Sequence, residues 1–271
     1  MQTIVITGAS SGIGLACVEA ALQAGHKVIA TARKTEDLQM LQKLGAEAVA
    51  LELSNESSVI AAANTIKAMG RIDVLFNNAG YGLQVAMEDA TWEALEEQHT
   101  SNVIGPIIFT NLLLDNLHPG SKLIFNSSIL GLITIPFRGP YCMSKHALES
   151  AADAYRLELE SRGINVHVIQ PGPIEAKFRS NALAKLKACL GDKQPRLDYS
   201  NHIDRLATPK LTRGTLPATA CAEIFIGIVD GRKTARSYVV TGIAKKAAAA
   251  KRMLGDHFHK VARSAEPLRE R

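Results

Sequence analysis

Cysteine is scarce in this chain. Its 271 residues include four, Cys17, Cys142, Cys189 and Cys221, and no two stand in C-x-x-C spacing. That excludes a zinc ribbon or a dithiol redox motif and suits free thiols in a reducing compartment. No metal site is expected. Long hydrophobic runs are missing too: no stretch of about 18 apolar residues occurs, so no bilayer-spanning helix is expected. The opening residues read M-Q-T-I-V-I-T-G. Without a basic start, a long apolar stretch or a small-residue cleavage site they predict no secretory signal, and a cytoplasmic protein. Net charge is absent from the body. Residues 1–244 hold 23 basic and 23 acidic side chains, whereas 245–271 hold eight and three, so the whole formal charge of +5 lies in that terminal segment. A balanced body excludes a basic nucleic-acid-binding domain. Repeats, low-complexity tracts and interdomain linkers are also lacking. With 46% hydrophobic and 21% charged residues the composition is that of an ordinary globular chain, long enough to bury one large core without disulfides.

What the chain does have is a regular alternation of short β-branched runs and longer helical patterns. Strands are expected at Thr3–Thr7, Lys27–Ala32, Ala48–Leu53, Asp73–Asn77, Lys122–Asn126, Asn165–Gln170 and Ser237–Thr241. Helices are expected from about Gly12 to Ala24, at Glu36–Leu44, Glu56–Met69 and Pro140–Arg162, and over Trp92–Leu117 with a bend or break at Gly105-Pro106. Strands apolar on both faces that alternate with helices imply a parallel sheet covered on both sides. The right-handed crossover rule makes it an α/β, Rossmann-like doubly wound sheet of about seven strands, in a single domain spanning 1–271. Residues 174–215 leave this rhythm. They are polar, with Pro195, Pro209 and one short helical patch at Asn181–Leu190, and predict a lid inserted over a site. From Ile243 apolar residues return at Ala247, Ala250, Leu254, Phe258, Val261 and Leu268, a helical spacing with a basic opposite face. The basic amphipathic segment 245–271 is expected to dock on the domain or a partner subunit; peripheral membrane contact is the less favoured alternative.

The first strand runs into Thr7-Gly8-Ala9-Ser10-Ser11-Gly12-Ile13-Gly14 and then a helix. Glycines there let the backbone turn tightly and approach a pyrophosphate, and the helix N-terminus offers free N–H groups to the anion. Gly8, Ser10, Ser11, Gly12, Ile13 and Gly14 are therefore candidate cofactor contacts; no G-K-[ST] follows, so the turn is not a P-loop. In such a fold the second strand ends beside the adenosine ribose. An acidic residue there would bind the 2′-hydroxyl of NAD, but this chain has Arg33-Lys34, two cations suited to a 2′-phosphate. The expected cofactor is NADP(H), with NAD(H) possible. Asn77-Asn78-Ala79-Gly80, after the fourth strand, leaves room for a flat ligand on the same edge. Tyr141 and Lys145 stand four apart on one helix face. With five Tyr and 16 Lys in 271 positions, chance supplies about 0.3 such pairs. The pair gains weight from Ser128, which ends the preceding strand on the ligand edge.

These motifs together resemble the short-chain dehydrogenase/reductase family: T-G-x-x-x-G-x-G at Thr7–Gly14, N-N-A-G at Asn77–Gly80, Ser128, Tyr141-Cys142-Met143-Ser144-Lys145 and Pro171-Gly172-Pro173-Ile174. Asn102 falls where that family keeps a catalytic asparagine. The resemblance covers about residues 3–242, and N-N-A-G-Y-G with P-G-P-I-E is similar to the branch acting on retinol- and 17-beta-hydroxysteroid-like alcohols and ketones. It implies hydride transfer between a carbonyl and an alcohol. Tyr141 would be the acid in reduction and the base in oxidation, Ser128 would hold the substrate oxygen, and Lys145 would bind the nicotinamide ribose and stabilise the phenolate. Asn102 would bind a water joining Lys145 to solvent. Asking a tyrosine of pKa about 10 to act as a base near pH 7 requires roughly three units, or about 4 kcal/mol. Asn78, Ala79, Gly80, Pro171, Gly172 and Ile174 would line the cofactor. Glu52, followed by Leu53, stands where the family often has an aspartate near the adenine. A homodimer or homotetramer is implied as well.

For the substrate, Tyr81, Leu83, Leu130, Ile135, Phe137 and Phe178 are expected around an apolar pocket, with Leu183, Leu186 and Leu190 of the lid beside them. That favours a retinoid-, steroid- or fatty-like ketone, aldehyde or secondary alcohol. Arg179, Lys185 and Lys187 leave an acidic substrate open. Cys142, beside Tyr141, reads as a small packed residue. The competing function is a non-catalytic NADP(H) sensor or scaffold on the same fold.

Overall fold

The computed structural model describes residues 1–175, 178–208, 214–264 and 268–269. Seven parallel strands form one sheet: β1 Thr3–Ile6, β2 Lys27–Ala32, β3 Glu47–Ala50, β4 Ile72–Asn77, β5 Leu117–Asn126, β6 Asn165–Gln170 and β7 Ser237–Val239. Their order is β3-β2-β1-β4-β5-β6-β7. The helices are α1 Gly12–Gln23, α2 Thr35–Lys43, α3 Glu56–Ala68, α4 Trp92–His99, α5 Gly105–Leu113, α6 Gly139–Glu158, α7 Phe178–Leu190, α8 Ser200–Ala207, α9 Thr219–Val229, α10 Gly242–Leu254 and α11 Phe258–Ser264. Side chains alternate across the strands. Val5, Ile29, Leu75, Leu123, Phe125 and Val168 face α3, α5 and α6. Ile4, Ile6, Val28, Val74, Phe76, Ile124 and Ile169 face α1, α2 and α9. Both sets are buried, which is why the strands read as continuous apolar runs rather than alternating ones. The Phe76 and Phe225 rings stack at 4.9 Å; full burial of each such side chain stabilises by about 1.5–3 kcal/mol.

The fold is the expected Rossmann-like doubly wound sheet, and the departures are local. The helix expected over Trp92–Leu117 is divided before Gly105: α4 passes through a wide π-type turn at Thr100–Ile104 into α5. Gly105 lies against the Leu53 backbone, where a Cβ would come within 2.9 Å of the carbonyl carbon. β5 begins at Leu117 instead of Lys122, and β3 covers Glu47–Ala50 instead of Ala48–Leu53. Helix α9 was not anticipated. Its sequence, TACAEIFIGIV, is apolar on nearly every side because it packs between α1 and the sheet, so it carries no amphipathic stripe. Pro140 occupies the first turn of α6, and Gly163, at φ +66°, closes the turn after it in the left-handed conformation.

Within 174–215 the helical patch extends back to Phe178, and α8 is a second helix there. A third apolar cluster forms beneath them: Leu83, Val85, Phe137, Leu186, Tyr199 and Leu206. The Tyr199 hydroxyl, fully buried, donates to Asp89 Oδ2 at 2.7 Å and accepts from the Ala86 N–H at 2.8 Å. Lys185 pairs with Glu97. Residues 176–177 and 209–213 of this region lie outside the described residues. The terminal helices α10 and α11 pack on the domain through Ala244, Phe258 and Ala262 against Ile129 and Ile133. The apolar stripe read in the sequence is only partly covered: Ile243, Leu254, Val261 and Leu268 stay 41–47% exposed. No helix among the described residues is long and apolar enough to cross a membrane.

Candidate active site

The sheet reverses its winding direction between β1 and β4, and the turns leaving these two strands are stapled together. Thr7 Oγ1 accepts from the N–H groups of Asn78 and Ala79, each at 3.0 Å. Asn78 Nδ2 returns bonds to the carbonyls of Thr7 and Gly8 at 2.9 and 3.1 Å. Gly8 must be glycine: its φ is +64°, and a Cβ would stand 2.7 Å from Ala79 Cα. The turn leads into α1, whose Ser11 N-cap makes no side-chain capping bond. The first amides of a helix have no intrahelical partners, and those of Gly12, Ile13 and Gly14 border a cleft that also touches Gly8, Ser10 and Ser11.

The cleft runs along the C-terminal edge of the sheet and encloses about 1540 Å³. A single small-molecule pocket is about 300–1,000 Å³, so there is room for a dinucleotide and a second molecule. One end is lined by Arg33, Lys34, Glu52 and Leu53, the middle by Asn78, Ala79, Gly80, Pro171, Gly172 and Ile174. Arg33 Nη1 bonds Glu52 Oε2 at 3.1 Å. Burial works to raise the Glu52 carboxyl, but bonds from Ser54 and the Arg33 guanidinium outweigh it and hold the group below its ordinary range. Gly172 is another close approach, since a Cβ there would lie 3.0 Å from Ala244 Cβ. Unpaired helix amides, hydroxyls and a glycine-lined wall fit a nicotinamide dinucleotide.

Ser128, Tyr141 and Lys145 converge at the middle of the cleft. Lys145 Nζ donates to the Asn126 carbonyl at 2.7 Å and sits 5.8 Å from the Tyr141 ring centre. The Tyr141 hydroxyl lies close enough to Ser128 for that side chain to oppose the effect of burial on the phenol. Ser128 Oγ is held in turn by the Leu130 N–H at 3.1 Å. Burial drives the two titratable groups toward neutrality: the Tyr141 phenol is raised above its usual value of 10.0, against the influence of Ser128, and Lys145 is pushed down to about 8.

Asn102 is bonded at both ends of its side-chain amide. Oδ1 accepts from the Tyr81 N–H at 3.0 Å, while Nδ2 donates to the Tyr81 carbonyl at 2.8 Å and to Ser144 Oγ at 3.1 Å. A Cβ on Gly80 would lie 3.1 Å from Asn102 Oδ1 and 3.6 Å from Lys145 Nζ. This side chain therefore ties the β4 turn to α6 through both amide protons, while Oδ1, with one bond accepted, keeps a second acceptor position. Among the expected substrate contacts, Tyr81, Leu130, Ile135 and Phe178 line the cleft. Leu83 and Phe137 do not: both are buried in the cluster beneath α7 and α8, Phe137 with its ring 4.7 Å from Tyr199. Leu183, Leu186 and Leu190 pack in or against that cluster, because they lie on the inner face of α7. Arg179 reaches the cleft lining; Lys185 turns to Glu97 and the Tyr81 ring instead.

Three residues at the site had no role assigned from the sequence. Ser144 donates to the Tyr141 carbonyl at 2.8 Å and accepts from Asn102. Gly82 gives way to the Phe178 ring, which a Cβ would meet at 2.5 Å; that ring stands 5.4 Å from Tyr141. Glu149, one turn beyond Lys145, accepts from Gln170 Nε2 at 3.0 Å on each oxygen. Burial raises its carboxyl, against the bonds from Gln170. The i+4 spacing from Lys145 was the available signal for Glu149.

The family profile described as short chain dehydrogenase matches residues 2–187. This chain belongs to the short-chain dehydrogenase/reductase family. It is an oxidoreductase acting on CH–OH groups. It is 36% identical over 184 residues to the uncharacterized oxidoreductase YbbO of Escherichia coli K12, covering 66% of this chain and 68% of the relative. The same identity over 184 residues relates it to a 3-ketodihydrosphingosine reductase of Bacteroides thetaiotaomicron, covering 66% of both. A short-chain dehydrogenase/reductase from Burkholderia phymatum, solved in complex with NAD, superposes with a TM-score of 0.79 at 23% identity over 96% of this chain and 94% of the other. That structural likeness bears on the fold alone.

Proposed function

We propose that this protein interconverts a carbonyl and an alcohol with NADP(H), acting on a lipophilic ketone, aldehyde or secondary alcohol. The observation that carries the reading is the meeting of Ser128, Tyr141 and Lys145 in one cleft with the glycine turn and the Arg33-Lys34 pair. The bound nicotinamide supplies or accepts the hydride. The first-turn amides of α1 and the hydroxyls of Ser10 and Ser11 would hold its pyrophosphate, and Arg33 and Lys34 the 2′-phosphate. Lys145 would hold the ribose. In reduction, Ser128 donates a hydrogen bond to the carbonyl oxygen and the Tyr141 hydroxyl passes its proton there as negative charge develops. Lys145, still mostly protonated at neutral pH with its value near 8, stabilises the phenolate left behind. Asn102 contributes position, by holding α6 and the β4 turn in register. Burial keeps Tyr141 protonated in the free protein, the state a proton donor needs. Tyr81, Leu130, Ile135 and Phe178 supply the apolar wall, and the similarity to a ketodihydrosphingosine reductase points the same way.

Tyr141→Phe is expected to retain NADPH binding while kcat falls by about 10²–10⁴; turnover at the wild-type rate would remove the acid/base role. The ratio of kcat/KM for NADPH and NADH is expected to be about tenfold or more; NADH preferred by that margin would refute the assignment at Arg33-Lys34. Four buried free thiols fit a cytoplasmic setting. Exposed Ile104, Ile108 and Leu157 suit burial against a second copy, as a homodimer or homotetramer; light scattering reads the mass.

A further inference from the structure

Resting on that oxidoreductase reading, we propose that the substrate carries an unbranched alkyl tail, and that the apolar stripe of α10 and α11 is the trough in which this tail lies. Ile243, Ala247 and Ala250 recur at intervals of four and three residues, which places them on one face of α10. All three line the cleft that holds Ser128, Tyr141 and Lys145, as does Val261 of α11. The stripe therefore faces the cleft. That is why Ile243 and Val261 remain 46% and 47% exposed, while Ala244, on the flank of the same helix, is buried. Docking on the domain uses Ala244, Phe258 and Ala262. It leaves the cleft-facing residues for another occupant.

The trough is continuous with the reacting groups. Leu130 lies two residues past Ser128 and gives its N–H to Ser128 Oγ at 3.1 Å. Leu130, Ile135, Ala247 and Ala250 all pack against one cluster built on Ile133 and Phe258. Helix α10 itself starts beside Gly172 of the cofactor wall, whose missing Cβ lets Ala244 come close. A tail leaving a carbonyl held by Ser128 and Tyr141 can thus pass Leu130 and Ile135 and meet α10. From Ile243 to Ala250 the helix axis advances about 10 Å, the reach of roughly eight methylene groups. The shape of the stripe argues for a chain. It is one side chain wide, set between the buried Ala244 and the exposed Lys246, and its two alanines end at Cβ. A fused ring system would overlie the Lys246 ammonium, which keeps its water only if left open. Burying each methylene against an apolar wall is favourable in proportion to its area, so the trough reads chain length.

The probes are straight-chain methyl ketones at saturating NADPH. Over about six to fourteen carbons kcat/KM is expected to rise about twofold per methylene, and to level once the tail fills the trough. Ala250→Trp fills the far end; it is expected to bring the levelling to a shorter chain and to cut the twelve-to-six-carbon ratio about tenfold. Ile243→Ser, at an exposed position where the fold is not challenged, is expected to cut that ratio about fivefold. Ala249→Trp, exposed on another side of α10, is expected to leave it unmoved. A flat response to chain length, or a ratio that neither Ala250→Trp nor Ile243→Ser lowers, overturns the inference. A fused-ring ketone preferred to every straight-chain one overturns it as well. If no ketone is reduced and no matching alcohol oxidised, the oxidoreductase reading fails separately. The ketones are then titrated into the fluorescent protein–NADPH complex. Affinity that does not grow with chain length, or that Ile243→Ser does not weaken, overturns the inference. Binding to phosphatidylserine vesicles that Ile243→Ser abolishes, with the chain-length ratio unchanged, assigns the stripe to a membrane surface and overturns it too.

Discussion

Lys145 stands between two opposed electrostatic influences in the cleft. Its ammonium is buried, bonded to one carbonyl at 2.7 Å, and its pKa is lowered to about 8 by burial, while the nearby Glu149 carboxylate pulls the other way. Removing that carboxylate's charge removes an influence favouring the protonated lysine. Glu149→Gln, which keeps shape and polar contacts with Gln170, is therefore expected to move the alkaline limb of the kcat–pH profile to lower pH with little change in fold. An unmoved limb would limit Glu149 to bracing α6 against β6. Tyr141, Lys145 and Ser128 were legible because each belongs to a short motif at a strand end or along one helix face. The partners of Asn102 were not, since Tyr81 and Ser144 are 21 and 42 residues away in the chain. The asparagine's identity was visible, but its bonds depend on where two other elements pass.

Among the elements, α7 and α8 hold their place over the cleft through a small number of buried contacts. Tyr199 is the central one: its ring packs on Phe137 at 4.7 Å and its hydroxyl binds both Asp89 and the Ala86 N–H. Tyr199→Phe keeps the ring and strands the buried N–H, at a cost of about 1–3 kcal/mol. The expected result is a lower Tm by a few degrees and a raised KM for substrate at nearly unchanged kcat. Wild-type values for both would show that the hydroxyl does not hold these helices. The amphipathic pattern of α10 and α11 was readable as docking from its spacing, yet the stripe is covered only at Ala244, Phe258 and Ala262. Periodicity identifies an apolar face; how much of it meets a neighbour depends on the neighbour's shape. Helix α9 shows the converse, buried on most sides and so without a stripe to read.

At the scale of the whole molecule, one buried base gives a pH dependence that extends beyond the site. His167 on β6 has its pKa lowered from 6.5 by burial, against a bond to the Ala235 carbonyl, with Lys122 and Arg156 lowering it further. The unfolded chain takes up a proton near 6.5 that the folded chain resists, so stability falls as the pH drops through that value toward the depressed folded one. Tm is expected to decline between about pH 7 and 5.5, with a shallower decline in His167→Gln. An equal slope in the variant would place the sensitivity elsewhere.

The strand–helix alternation, the glycine turn, the cation pair after β2 and the Tyr–Lys pair were determined by sequence alone, because each depends on neighbours within about one turn or one strand of chain. Tertiary structure decided that Leu83 and Phe137 pack beneath α7 and α8 instead of lining the cleft. It also bonded both ends of the Asn102 side-chain amide to elements far off in the chain. Those outcomes arise from contacts between segments far apart in the chain, and the geometry of the packed sheet and helices settles which segments meet.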